Sequence, residues 1–178
     1  MGRQMKFSII LFLPVFLLSC GSIVSEEIRE RTDTSLTFKE VAQNPDEYNG
    51  KIVLWGGAIL QILPQDDGST WLEVLEWPLG WTKRPKRTVS FRGRFLIVFK
   101  ERLDPSLYSE GDRVTVAGEI QGSIQGEEIE SLSDPTYRYP LLLSKEIHAW
   151  GHGVYPYSNV SNLGQTGGYR GFEGAFRY

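Results

Sequence analysis

The sequence RVTVAGEI, residues 113–120, decides the fold class. Apolar and polar side chains alternate along it, which is the pattern of a strand with one buried face. Val114, Val116 and Ile120 share the apolar face, opposite polar residues such as Thr115. The stretch therefore predicts a β-strand on the wall of a hydrophobic core.

Strand character continues on both sides of this stretch. The four further candidates are Lys51–Leu63, Thr70–Trp77, Phe91–Lys100 and Tyr139–Trp150. Gly56-Gly57 predicts a bend or bulge in the first, and Asp66-Asp67-Gly68-Ser69 is a hairpin-type turn. Five short strands with glycine-marked bends predict a mainly β fold, a small five-stranded OB-like barrel, with a β-sandwich as the alternative.

One short helix is predicted before the first strand. Thr37-Phe38-Lys39-Glu40 fits a capping box, with Thr37 at the N-cap and Glu40 three residues later. Asn44-Pro45 ends the helix, because the residue before a proline is pushed away from helical backbone angles.

The N-terminus has the pattern of a bacterial secretion signal. Two basic residues precede Phe7–Leu18, an apolar run of about twelve residues, which is shorter than the roughly 20 needed to span a bilayer. Leu17-Leu18-Ser19-Cys20 places a small residue before the only cysteine, and this stretch resembles the lipobox of lipoprotein precursors. The resemblance implies that residues 1–19 are a signal peptide and that Cys20 carries diacylglycerol and an N-acyl chain. Beyond this covalent lipid we expect no cofactor.

The rest of the chain divides into three parts. Residues 20–35 are polar and charged, as expected of a lipidated tether that lifts the domain off the membrane. Residues 36–150 hold the predicted barrel, and residues 151–178 form a Gly/Tyr-rich tail without a strand or helix period. Gly21 follows the cysteine, where inner-membrane lipoproteins commonly carry Asp. This favours the periplasmic face of the outer membrane.

The charge balance argues against nucleic acid as a partner. Loss of the signal peptide removes two of 19 basic residues and none of 22 acidic ones, which leaves 17 against 22 and a net charge near −5. A negative protein is a poor non-specific binder of phosphate backbones. The expected partners are the outer-membrane bilayer, reached through the lipid anchor, and an envelope glycan or protein.

Eight short sequence blocks follow one another between residues 38 and 150. They are Asn44–Gly50, Trp77–Leu79, Lys83–Pro85, Gly93–Leu96, Leu103–Tyr108, Gly111–Gly122, Tyr137–Leu142 and His148–Trp150. In this order and behind a lipobox, they resemble the Slp family of outer-membrane lipoproteins, which are associated with starvation and stationary phase. The resemblance implies an outer-membrane lipoprotein with no assigned enzymatic activity, and it supplies no catalytic residues.

A basic and aromatic patch is the candidate binding site. It combines a proline-bounded loop with two arginines of the following strand, and its members are Trp77, Trp81, Lys83, Arg84, Lys86, Arg87, Arg92 and Arg94. Charge together with ring stacking suits a polyanion or a sugar. In the other interpretation, the tryptophans plug one end of the barrel and the cations are solvated.

Catalytic motifs find little support. His148 and His152 lie at a strand end beside glycines rather than on one helix face, so we expect no metal site. Glycan hydrolysis needs two carboxylates at a defined separation, and the candidates are a polar acidic loop and two acids on opposite faces of one strand. These acids are Glu127, Glu128, Glu130 and Asp134 in the loop, and Glu73 and Glu76 on the strand.

The sequence therefore predicts a non-enzymatic outer-membrane lipoprotein with an envelope-associated structural or binding role. The first alternative is a binding module for an anionic glycan or lipid headgroup, which would use the basic and aromatic patch. The second alternative is an envelope glycan hydrolase.

Overall fold

The computed structural model describes residues 22–88, 92–104 and 106–151. The predicted signal peptide, Cys20 and the tail beyond Gly151 lie outside these ranges. The helices are α1 (Glu26–Arg31) and α2 (Phe38–Gln43), and the strands are β1 (Ile52–Pro64), β2 (Thr70–Glu76), β3 (Arg94–Phe99), β4 (Arg113–Gln125) and β5 (Arg138–Ala149). Within the described ranges, no helix combines the length and apolar character that crossing a bilayer requires.

The five strands close into a barrel in the order β1-β2-β3-β5-β4. All neighbouring pairs are antiparallel except β3 and β5, which run parallel from Leu96 opposite Leu141 to Val98 opposite Leu143. This closed, mainly β architecture is consistent with the OB-like barrel that the sequence predicts. It excludes the open two-layer sandwich that was the alternative.

Alternate side chains of every strand fill the barrel interior. Val114, Val116 and Ile120 are fully buried there, as the alternation along β4 predicts. Burial of each such side chain stabilises the fold by about 1.5–3 kcal/mol. β4 runs five residues past its predicted end, because the strand absorbs a register shift between Ile120 and Ser123 and continues to Gln125.

A glycine forms the corner at which β1 passes from one neighbour to the other. Gly57 is paired with Glu76 of β2 and with Val114 of β4. A Cβ atom on Gly57 would lie 1.9 Å from the Leu75 carbonyl oxygen, so no larger residue fits without backbone movement. The register shift of β1 occurs slightly later, between Ile59 and Gln61. The predicted bend is therefore present, whereas the bulge is displaced from the glycine pair.

Helix α2 caps one mouth of the barrel. The predicted capping box is present, since the Glu40 backbone N–H donates to the Thr37 hydroxyl at 3.3 Å and the Thr37 N–H donates to the Glu40 carboxylate at 2.9 Å. Phe38 is buried and meets Trp55 edge to face, with ring centroids 5.0 Å apart. The helix thus begins where its first residue can enter the core.

The segment predicted as a tether, residues 20–35, differs from that expectation where the structure describes it. Helix α1 lies within it, and Val24 and Ile28 are buried beside Ala117 of β4. The Ser25 backbone N–H also donates to the Glu146 carboxylate at 2.7 Å. Val24, just before the helix, and Ile28, within it, are four residues apart and are enough to pack this short helix against the sheet. The rest of the segment is mostly polar, so its sequence shows no sustained helical period.

Candidate functional site

A tight hairpin projects from the barrel after β2 and carries most of the predicted basic and aromatic patch. We call residues 78–86 the basic hairpin. The Gly80 N–H donates to the Arg84 carbonyl at 2.8 Å, and the Lys86 N–H donates to the Pro78 carbonyl at 2.9 Å. These bonds place Trp81 at the tip of the hairpin.

The hairpin is held against β4 by a short chain of hydrogen bonds. The Trp150 indole N–H donates to the Thr115 hydroxyl at 2.9 Å, and that hydroxyl donates to the Lys83 carbonyl at 2.7 Å. Lys83 has a positive φ of 62°, a strained conformation for a residue with a Cβ atom. The Arg84 guanidinium lies 5.5 Å from the centre of the Trp150 ring. The backbone and one cation of the hairpin are therefore ordered before any ligand arrives.

The two tryptophans of the predicted patch have opposite environments. Trp81 is 90% exposed, whereas Trp77 is only 6% exposed and packs with Leu75, Ala58 and Leu60 on the outside of the barrel. Trp77 is thus a structural residue at the base of the hairpin. The exposed cations around Trp81 are Lys83, Arg84, Lys86 and Arg87.

The two arginines of the predicted patch that follow the hairpin are each engaged by a buried carboxylate. Arg92 Nε lies 3.1 Å from a carboxylate oxygen of Glu76. Arg94 Nη1 lies 3.5 Å from Glu73 and donates to the Ser133 hydroxyl at 2.7 Å. Both arginines are therefore paired with buried carboxylates, and Arg92, which is still exposed, lines one cleft together with Lys83 of the hairpin.

Glu73 is fully buried and well satisfied. Its carboxylate accepts hydrogen bonds from the Tyr139 hydroxyl at 3.1 Å, from the Ser133 N–H at 3.2 Å and from the Ser133 hydroxyl. Burial, together with the charge of Glu73, raises the pKa of Tyr139 to about 12. This network fastens the segment between β4 and β5 over the outer face of β2, while Glu127, Glu128 and Glu130 of that segment remain exposed.

Glu76 lies on the opposite face of β2, at the barrel mouth beside α2. It lines a cleft of about 240 Å³ between the barrel mouth and the segment that leads into α2. Burial raises the pKa of Glu76, and the charge of Arg92 partly offsets this effect. The cleft is lined by Thr32, Asp33, Thr34, Leu36, Thr37, Phe38, Leu54, Trp55, Gly56, Glu76, Leu79, Lys83 and Arg92.

Sequence reasoning missed this cleft. The sequence feature that indicates the cleft is the spacing of Glu76 from two apolar residues. Leu72, Val74 and Glu76 are at alternate positions and therefore share the inward face of β2. A carboxylate in that register must enter the barrel mouth. The partners that make it a cleft come from residues 32–38, which are distant in sequence.

The acids and histidines weighed for catalysis do not converge in the described ranges. Glu127 and Glu128 are exposed, and Glu128 accepts a hydrogen bond from the Gln125 backbone N–H at 2.9 Å. His148 packs against Trp150 with ring centroids 4.4 Å apart, and His152 lies outside the described residues. No cluster of three or more His, Cys, Asp or Glu suited to a metal ion occurs in the part of the chain that the structure describes.

Comparison with known proteins gives one result. A family model described as outer membrane lipoprotein Slp family matches residues 17–172. The match begins before Cys20, and it extends past the barrel through most of the Gly/Tyr-rich segment. A search of curated proteins finds no match to this chain.

Proposed function

Because the chain belongs to the Slp family of outer-membrane lipoproteins, we propose that it is a non-enzymatic binding module anchored at the periplasmic face of the outer membrane. Cys20 carries the lipid anchor in this proposal, as the lipobox implies. The barrel serves as a rigid support that presents the basic hairpin to phosphate-bearing envelope material, either a lipid headgroup or an anionic glycan.

The observation that carries the proposal is the exposed Trp81 at the tip of an ordered hairpin. A side chain of this size that is 90% exposed gains nothing from the fold and is available to a partner. Tryptophan suits both a glycan and a lipid headgroup as ligand. Its ring stacks on sugars, and tryptophan is enriched at membrane interfaces, where its N–H can hydrogen-bond.

The positive charge of the hairpin predicts a negatively charged partner. Lys83, Arg84 and Lys86 of the hairpin and the adjoining Arg87 are exposed within seven residues of Trp81, although the mature chain as a whole is acidic. A local cluster of cations attracts phosphate groups over about a Debye length, which is roughly 8 Å at physiological salt. The order of the hairpin backbone lowers the entropy lost on binding.

The test uses the mature chain from residue 20 with Cys20→Ala, so that the anchor does not mask the hairpin. Its binding is measured by sedimentation with phosphatidylcholine vesicles, with vesicles containing phosphatidylglycerol, and by titration with a phosphorylated polysaccharide. We expect binding to at least one anionic probe, weakening with salt because exposed charges are screened. The two anionic probes distinguish the lipid source from the glycan source.

The double variant Trp81→Ala with Lys86→Gln is expected to bind the preferred anionic probe at least fivefold more weakly. Lys39→Gln is the matched control, because it removes one exposed positive charge from α2 instead. The proposal fails if the parent chain binds neither anionic probe better than phosphatidylcholine, or if the double variant binds as tightly as the control.

A further inference from the structure

We propose that the cleft at the barrel mouth, lined by Trp55 and Glu76, binds a neutral hydroxyl-bearing small molecule of the size of one sugar ring. This site is separate from the exposed face of the basic hairpin, and it goes beyond the proposed function because it requires neither phosphate nor a membrane.

Two buried polar atoms of the cleft have no hydrogen-bond partner among the described residues. They are the indole N–H of Trp55, a residue 5% exposed, and one carboxylate oxygen of Glu76, a residue 4% exposed. That oxygen is paired with the charge of Arg92, whose Nε lies 3.1 Å away, yet a carboxylate oxygen has two lone pairs and can accept from a further donor. Buried polar groups in proteins are nearly always bonded, so two such atoms on residues that line one cleft indicate that the cleft accepts a polar partner.

The two atoms are complementary to a hydroxyl group. Trp55 Nε1 can only donate a hydrogen bond, and a carboxylate oxygen of Glu76 accepts one. A hydroxyl group both donates and accepts, so one or two neighbouring hydroxyls would satisfy both atoms. A phosphate would satisfy the indole N–H but would repel the carboxylate.

The charges of the lining also favour a neutral ligand. The two acids are already compensated, since Glu76 faces Arg92 at 3.1 Å and Asp33 faces Lys51 at 3.8 Å. Hydrogen bonds from Ser35 further lower the pKa of Asp33. The lining as a whole carries two acids, Asp33 and Glu76, and two cations, Lys83 and Arg92, so its charges balance and do not select an ion.

The volume and the apolar part of the lining set the size of the ligand. A cleft of about 240 Å³ is below the roughly 300–1,000 Å³ of pockets for drug-sized molecules, so it accommodates one ring rather than an oligomer. Leu36, Phe38, Leu54 and Leu79 contribute apolar surface, which matches the C–H faces of a sugar ring. This combination of an apolar wall with a few directed polar atoms is typical of small-molecule sites.

The experiment is a titration of the mature lipoprotein in a zwitterionic detergent that carries no sugar. The probes are glucose, N-acetylglucosamine, glucose 6-phosphate and inorganic phosphate, and the readout is the indole N–H resonance of Trp55 together with calorimetry. We expect a saturable shift of that resonance with at least one of the two neutral sugars and none with inorganic phosphate.

Two variants remove the proposed contacts separately. Trp55→Phe keeps an aromatic ring but removes the donor, and Glu76→Met keeps the length but removes the acceptor. Each should weaken sugar binding at least tenfold by calorimetry. Trp71→Phe is the matched control, because Trp71 packs on the outer face of β2 with Leu96 and Leu132 and does not line the cleft.

The proposal is overturned if neither neutral sugar gives a saturable shift, if only the phosphate-bearing probes bind, or if both variants bind as tightly as the Trp71→Phe control. Should Glu76→Met fail to fold, Trp55→Phe alone decides the matter. Failure here would leave the proposed function of the hairpin intact, since Trp81 and Lys86 are not part of the cleft lining.

Discussion

Glu73 and Glu76 are three residues apart on one strand, yet their surroundings place them in different chemical roles. Glu73 is fully buried among donors from Ser133, Tyr139 and Arg94. Glu76 is nearly as buried, but in the described part of the chain its one ion-pair partner is Arg92 and it lines a cleft. A satisfied buried carboxylate holds structure together, whereas an unsatisfied one is a cost that functional sites commonly carry.

The Glu76→Gln variant should be more stable than the parent chain at pH 7 by about 1 kcal/mol. Burial raises the folded-state pKa of Glu76 above its ordinary value of 4.5, so the folded state binds this proton more tightly than the unfolded state. The protonated Glu76 side chain therefore stabilises the folded parent chain fully below pH 4.5, and this stabilisation is lost as the pH rises through the raised pKa.

Urea unfolding of the parent and of Glu76→Gln between pH 4 and pH 8 measures this effect. The difference in free energy of unfolding should grow with pH in favour of the variant. Asp33, the other acid of the cleft, has a pKa lowered from its ordinary value of 3.8, chiefly by hydrogen bonds from Ser35, so its own titration lies below this range. A parent chain whose stability relative to the variant rises with pH would contradict the prediction.

The Glu73→Ala variant should lose about 3 kcal/mol of stability, because removing one member of a buried charged network leaves its partners unsatisfied. Glu127→Ala, an exposed acid in the segment that Glu73 holds in place, should change the free energy of unfolding by less than about 0.5 kcal/mol. Chemical denaturation at pH 7 measures both. Equal stability of the two variants would show that the network does not hold the segment.

At the scale of elements, the barrel and the hairpin depend on close approach of backbone. β1 serves two neighbours by turning at Gly57, and the hairpin packs against the adjacent Gly56, where a Cβ atom would lie 2.6 Å from a Leu79 methyl carbon. The two glycines therefore have different structural roles: Gly57 allows β1 to turn between its two neighbouring strands, and Gly56 allows the hairpin to pack closely.

Replacing Gly57 by alanine should destabilise the protein by about 3 kcal/mol or more, since the added carbon meets the Leu75 backbone and cannot be relieved by a side-chain rotation. Gly80→Ala is the control, because its added carbon meets first the end of the flexible Lys86 side chain. Thermal unfolding compares the two variants. A melting temperature for Gly57→Ala equal to that of Gly80→Ala would refute the assigned corner.

Removing the hydroxyl of Thr115 should loosen the basic hairpin without unfolding the barrel. Thr115→Val keeps the shape of the side chain but breaks the bonds to the Lys83 carbonyl and to the Trp150 indole. We expect amide hydrogen exchange of Lys83 and Lys86 to become at least tenfold faster. Thr136→Val, which removes a hydroxyl in the segment between β4 and β5, should leave these two amides unchanged; equal acceleration by both variants would contradict this.

At the scale of the whole molecule, an outer-membrane lipoprotein carries a barrel whose hairpin and cleft adjoin one another through Leu79 and Lys83. Helix α1 packs on the barrel beside Ala117, and the residues that follow it, from Thr32 on, line the cleft. The segment between α1 and α2 therefore passes the candidate cleft.

The Cys20→Ala variant should be neither acylated nor processed, because the thiol is the site of diacylation in a lipobox. Incorporation of labelled palmitate and the size of the product measure this directly. Several acyl chains give firm anchoring, since each buried methylene contributes about 0.8 kcal/mol. An acylated variant of mature size would show that the anchor lies elsewhere, and Ser22→Ala serves as the control that should stay lipidated.

The sequence by itself determined the features that depend on neighbouring residues. The alternation along β4, the capping box at Thr37 and the turn at Asp66–Ser69 all have the structure that their local patterns predict, because strand periodicity, helix capping and tight turns are decided within a few residues. The ordered blocks were likewise sufficient for the family, which the match over residues 17–172 confirms.

Only the tertiary structure decided which charges and aromatic rings remain available. Glu73 meets Ser133 and Tyr139 across 60 and 66 residues of sequence, and Trp77 is buried although Trp81 is exposed. Such outcomes depend on which distant segments cover each face of the barrel, and a local sequence pattern does not predict these contacts. The physical reason is that periodicity assigns a side chain to a face, whereas only the closed barrel and its covering segments determine what that face meets.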